Sequence, residues 1–146
     1  ITVVGVDAVA QGECPNSFTV TRTWTFTDAC NNTSSVSQII TVSDTLAPTF
    51  VDVAPANTTA SCDNIPSAAV LTAIDNCGTA TVTMSQTTIQ GNCPSNYQLV
   101  RTWTAIDECG NTATAVQTIT VSDTVGPVLV TPLPAKIIGL SALLIA

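Results

Sequence analysis

The chain has 146 residues with six cysteines and no histidine, and three cations against ten acids give it a formal net charge of −7 and a pI near 4.1. So acidic a chain is a poor match for phosphate backbones, and nucleic acid is excluded as a partner. Without histidine the common catalytic triads and His-based metal sites are closed, and there is no glycine-rich phosphate loop, so neither enzymatic activity nor a cofactor is expected.

Apolar residues make up 45% of the chain. Threonine and valine recur throughout while Lys, Glu and Met are scarce, which reads as all-β. In chain order, 1–10 alternates loosely as a strand, and Gly12, Cys14, Pro15 and Asn16 mark a turn. At 18–26 the even positions carry Phe18, Val20, Arg22, Trp24 and Phe26 and the odd ones carry threonine, the period of a half-buried strand. Asp28 to Asn32 turns the chain, and 36–43 returns as the antiparallel partner. Pro48 then marks a boundary. Further strands are expected at 49–53, 59–63, 68–74, 79–89, 97–106 and 113–122, separated by Pro-, Asn- and Gly-bearing turns. Short strands at this spacing, with no amphipathic helix between them, predict an immunoglobulin-like β-sandwich.

Residues 101–124 repeat residues 22–45 at an offset of 101 − 22 = 79, with 15 of 24 positions identical. The predicted organisation is therefore a tandem of units of about 80 residues. Residues 1–48 form a unit without its opening strands, 49–127 a complete unit, and 128–146 a C-terminal tail.

Six cysteines without histidine favour disulfides over zinc and an oxidising compartment, hence an extracellular or cell-surface setting. The first copy holds only Cys14 and Cys30, so internal bridging pairs those two; the offset maps them onto Cys93 and Cys109, leaving Cys62 with Cys77, provided no bridge crosses between chains. The chain opens at Ile1 without a leader pattern, so a signal peptide is either removed or not included.

Ile1 aligns with Ala80, so the first unit is expected to expose apolar surface and unpaired backbone, which a strand from a neighbouring copy would cover. The tail carries Ile137, Ile138, Leu140, Leu143, Leu144 and Ile145 in an uncharged run too short to span a bilayer, so no transmembrane segment is expected and it suits the donor role. Such a heterologous contact need not close, which predicts a head-to-tail homopolymer. A slice of a long tandem-repeat adhesin and a monomeric secreted binding module are the alternatives.

Arg22 and Arg101 share the parity of Trp24 and Trp103, so each guanidinium is expected over an aromatic face or on a carboxylate such as Asp28 or Asp107. Asp44, Asp107 and Asp123 are the weak calcium candidates, without EF-hand spacing. Asn31, Asn32 and Asn57 head N-x-[ST] triplets, which makes glycans candidate partners.

The pattern W-T-A-x-D-x-C-G-N-T-A followed by I-T-V-x-D-T-x-x-P, at 103–127 and more weakly at 24–48, resembles the hyalin-repeat (HYR-like) family. It is especially similar to the tandem copies in cell-surface adhesins of Bacteroidetes. The resemblance implies immunoglobulin-like modules acting in adhesion or as extracellular spacers. Thr45 and Thr124, within Asp-Thr-Leu and Asp-Thr-Val, look like the O-glycan acceptor motif of that group. Asn31 stands where the family has glycine, a change that Asn tolerates because it accepts positive φ.

Overall fold

The computed structural model describes residues 1–130, among which there are nine strands and no helix. β1 (Thr2–Gln11), β2 (Phe18–Thr27) and β3 (Thr33–Val42) form an antiparallel sheet in the order β1-β2-β3. β4 (Thr49–Phe50) pairs with β6 (Ala73–Ile74) in a small second sheet. β5 (Thr58–Ala60), β7 (Ala80–Gln90), β8 (Tyr97–Asp107) and β9 (Thr112–Val121) form the third, in the order β5-β9-β8-β7, with β5 parallel to β9. The fold is all-β and sandwich-like, in keeping with the immunoglobulin-like class expected from the strand spacing.

The threonine-and-apolar alternation makes these strands, and two turn types close them. Gly12 N–H donates to Ser17 O (2.7 Å), and Gly91 N–H donates to Asn96 O (2.8 Å) at the equivalent place. A Cβ on Gly12 would stand 2.7 Å from that Ser17 oxygen, so only glycine closes the turn. In the second turn type Asn31 (φ 64°) and Gly110 (φ 87°) adopt the left-handed conformation, as the Asn-for-Gly exchange predicts.

The core lies under β8 and β9. Leu99, Ile119 and Val121 are buried there, with Ala60, Ile65 and Tyr97 packed against them, and Trp103 and Ala105 continue the buried row along β8. Burial along β8 alternates with the period of two expected of a half-buried strand.

Three expected strands are shorter than predicted. The run at 49–53 reduces to β4, that at 59–63 to β5, and that at 68–74 to β6. For the last of these the reason is visible at 66–69: Pro66 has no N–H to donate, and the carbonyls of Pro66, Ser67 and Ala69 accept from Arg101 and Trp103 side chains. The backbone is held by side chains instead of a ladder.

Candidate functional site: the joint between the two repeat units

The Gly12-to-Ser17 turn of the first unit meets the Asp107-to-Asn111 turn of the second. Cys14 and Cys109 form a disulfide there, with a Cα–Cα distance of 5.0 Å across a sequence separation of 95. Asn16 Nδ2 donates to Glu108 Oε2 (3.4 Å) and Thr79 Oγ1 to Glu108 Oε1 (2.8 Å). Gly78 fits beneath: a Cβ on it would lie 2.7 Å from Asn16 Nδ2 and 2.9 Å from Glu108 Oε2. Asn111 Nδ2 donates to Asp44 O (3.3 Å), which ties the connection between units to the same turn.

The turn is preorganised by Asp107. Its Oδ1 accepts from the N–H groups of Cys109 and Asn111 (2.8 Å each), and its Oδ2 accepts from Asn111 Nδ2 (2.8 Å). Burial opposes ionisation of Asp107, but the hydrogen bonds from Asn111, Cys109 and Gly110 outweigh it and hold its pKa below the usual carboxylate value.

This pairing corrects the expected one. Cys14 bonds Cys109 and neither Cys30 nor any neighbour in its own unit; Cys30, Cys62, Cys77 and Cys93 are free and exposed. Cys14 and Cys30 flank the 10-residue β2, so they sit at opposite ends of one strand. A strand that long spans roughly 33 Å, whereas bonded cysteines need their Cα atoms within about 7 Å. Cys93 and Cys109 flank β8 in the same way. This constraint is legible in the sequence once the strands are drawn. Cys62 and Cys77 are also unbonded, contrary to expectation.

Of the two arginines, Arg22 takes a carboxylate as expected, though not the one named, and Arg101 takes none. Arg22 pairs with Asp7 through Nε to Oδ1 and Nη2 to Oδ2, both 2.6 Å, not with Asp28. The hydrogen bond from Arg22 is the main cause that lowers the Asp7 pKa. Arg101 is buried and contacts no carboxylate. Its Nη2 donates to Pro66 O (2.7 Å), its Nη1 to Ser67 O (3.1 Å) and Gln117 Oε1 (3.5 Å), and its Nε to Gln86 Oε1 (2.9 Å). Asp7 and Gln86 occupy the same repeat position, each directly opposite its arginine, and that cross-strand position is the signal in the sequence.

Of the calcium candidates, Asp44 and Asp107 come together, but with Asp75 rather than Asp123: one carboxylate oxygen from each of Asp44, Asp75 and Asp107 lies within 4.8 Å of the others. Asp123 caps Val125 N–H (3.0 Å) beyond the other end of β9. Asp75 Oδ1 is buried without a hydrogen-bond partner among the described residues. The three carboxylates would offer oxygen ligands to a hard cation, and together with desolvation, the larger cause, they raise the pKa of the neighbouring Cys77 thiol.

The candidate glycan acceptors Asn31, Asn32, Asn57, Thr45 and Thr124 are all exposed. The Asn32 amide is committed to Asp28 Oδ2 (2.8 Å), and Asn57 Oδ1 accepts from Thr118 N–H (2.8 Å). The donor-strand residues Ile137, Ile138, Leu140, Leu143, Leu144 and Ile145 lie outside the described residues.

Residues 1–42 match the HYR-like domain with 4 cysteines. The first unit carries this HYR-like match. Its matched stretch contains Cys14 and Cys30 and all of β1, β2 and β3, and its repeat at offset 79 supplies β7, β8 and β9. HYR-like domains are typically extracellular, and the Cys14–Cys109 disulfide is in keeping with that setting. No helix among the described residues is long and apolar enough to cross a membrane. No curated protein matches the chain.

Proposed function

We propose that the chain is a structural subunit of an extracellular filament assembled head to tail, in which a second copy covers the open face of the HYR-like β1-β2-β3 sheet. The observation that carries this reading is the contrast between equivalent side chains. Ile40 and Val42 are each 37% exposed, whereas their counterparts Ile119 and Val121 are buried at 0% and 1%. Val3, Val9 and Val36 extend the same open face.

The chosen occupant is the apolar, uncharged run 137–146 of a second copy, which would take the place that 65–71 fills in the second unit. Deleting 136–146 should abolish fibres seen by negative stain and leave a single species in sedimentation; fibres that persist in the deleted chain sink the donated-strand mode. The second reading is a slice of a tandem-repeat surface adhesin of the Bacteroidetes type, presenting glycan- or protein-binding loops. It is favoured by the joint itself, which already links two units within one polypeptide.

A further inference from the structure

Both halves of the disulfide joint occur a second time in the molecule, unbonded. The turn that holds Cys14 is repeated around Cys93: Ser17 N–H donates to Cys14 O at 3.0 Å, and Asn96 N–H donates to Cys93 O at 3.0 Å. The turn that holds Cys109 is repeated around Cys30. Asp28 Oδ1 accepts from Cys30 and Asn32 N–H at 2.8 Å each, and its Oδ2 accepts from the Asn32 amide at 2.8 Å, the values found around Asp107. The connection leaving each unit is capped alike, Leu46 N–H to Asp44 Oδ1 at 3.1 Å and Val125 N–H to Asp123 Oδ1 at 3.0 Å.

Cys30 and Cys93 are not bonded to each other within one chain. Each lies across a strand of 10 or 11 residues from the Cys14–Cys109 joint, at the far end of its own sheet; that is roughly 33 Å of strand on either side. Both thiols are exposed.

We propose that Cys93 of one copy and Cys30 of a second copy form a disulfide that reproduces the internal joint, so that successive copies are locked covalently head to tail. The proposal rests on the head-to-tail reading and deepens it. The operator that carries the first unit onto the second within the chain, applied once more, brings the Cys93 turn of one copy against the Cys30 turn of the next. The Asn32 amide then faces the Asp123 carbonyl as Asn111 faces that of Asp44. The contact of Asn16 with Glu108 is not repeated, because Ser95 and Ala29 stand at those positions. The interchain joint is therefore the more dependent on its disulfide.

The oxidant is a low-molecular-weight disulfide. The Cys93 thiolate attacks one of its sulfurs, forming a mixed disulfide and expelling one small thiolate. The Cys30 thiolate of the second copy then attacks the Cys93 sulfur and expels the other. Two protein thiols are oxidised, one small disulfide is reduced to two thiols, and the two protons pass to the departing thiolates.

The test incubates the full chain with oxidised glutathione, followed by non-reducing electrophoresis and disulfide peptide mapping. A ladder at multiples of 15.0 kDa that collapses on reduction, with the bridging peptides joining Cys93 to Cys30, is expected. Cys30→Ser and Cys93→Ser should each abolish the ladder, and an equimolar mixture of the two should restore a dimer and nothing larger. An intact Cys14–Cys109 peptide serves as the folding control in every sample. Bridges that join Cys30 to Cys30, Cys93 to Cys93, or either to Cys62 or Cys77 as the main product overturn the proposal, as does a ladder that survives in either variant. Fibres without the mapped bridge overturn the covalent joint but leave head-to-tail assembly standing. A mixed dimer formed equally by chains lacking 136–146 supports the joint and removes the donated strand from it.

Discussion

The two copies of the repeat are nearly the same hairpins in two different surroundings. In the second unit β8 and β9 lie against the 65–71 stretch; in the first, β2 and β3 hold the equivalent residues with nothing against them among the described residues. The arginines register the difference most sharply. Arg101, under cover, is held by neutral carbonyl and amide oxygens, whereas Arg22, in the open, grips the Asp7 carboxylate. A guanidinium can be buried without a counter-ion when its donors are satisfied. Trp103 likewise donates its indole N–H to Ala69 O (3.0 Å), an acceptor that the first unit does not offer Trp24 among the described residues. One sequence pattern thus stands as a covered core in one copy and, among the described residues, as an open face in the other, according to whether an extended segment crosses it.

The largest way to disturb this contrast is at the joint. Replacing Cys14 and Cys109 by serine opens a loop with a sequence separation of 95, and in the chain-entropy model closing a loop of about 100 residues is worth about 4.7 kcal/mol. Amide exchange should accelerate throughout β1, β2 and β3 and much less in β7, β8 and β9. Equal acceleration in both sheets would mean that the first unit does not depend on the joint.

Next is the pair of tryptophans. Trp103→Ala should cost about 4 kcal/mol in urea unfolding, while Trp24→Ala should leave the midpoint nearly unchanged in the monomer and instead weaken assembly. Arg101→Ala, which strands the Pro66 and Ser67 carbonyls, should cost about 3 kcal/mol, and Arg22→Ala very little. Similar losses at the two arginines would erase the distinction between filled and open faces.

The smallest effect is set by pH. Asp28 is held below the usual carboxylate range chiefly by the Asn32 side chain, and Asp107 is lowered despite its burial. A depressed folded pKa adds stability that is complete above the unfolded value, about 3.9 for Asp, and is lost as pH falls through the folded one. Unfolding by urea should therefore ease steadily on acidification below about pH 4. Asp107→Asn should flatten that dependence in the second unit and Asp28→Asn in the first, read residue by residue from exchange rates.

The hairpins, their parity and the repeat were legible because period-two alternation and turn residues are local signals. The disulfide was not, for a specific reason: the repeat identifies equivalent cysteines but says nothing of partners, and pairing within each copy is opposed by the length of the strand between them. The particular partners of Arg22 and Arg101 are not in the turns: Asp7 and Gln86 face the arginines across the ladder, a position fixed only by strand register. Asp75 joined Asp44 and Asp107 through a contact between units that no spacing within a unit encodes.

The Cys14–Cys109 bond also has a mechanical meaning. A pull applied before Cys14 and after Cys109 passes through the disulfide and bypasses everything between, including β2 to β8. The bypassed chain, with a sequence separation of 95, would extend to about 330 Å at roughly 3.5 Å per residue. While the bond is intact that length is withheld from the load, and reduction releases it in one step, so the redox state of a single joint sets how far the module can stretch.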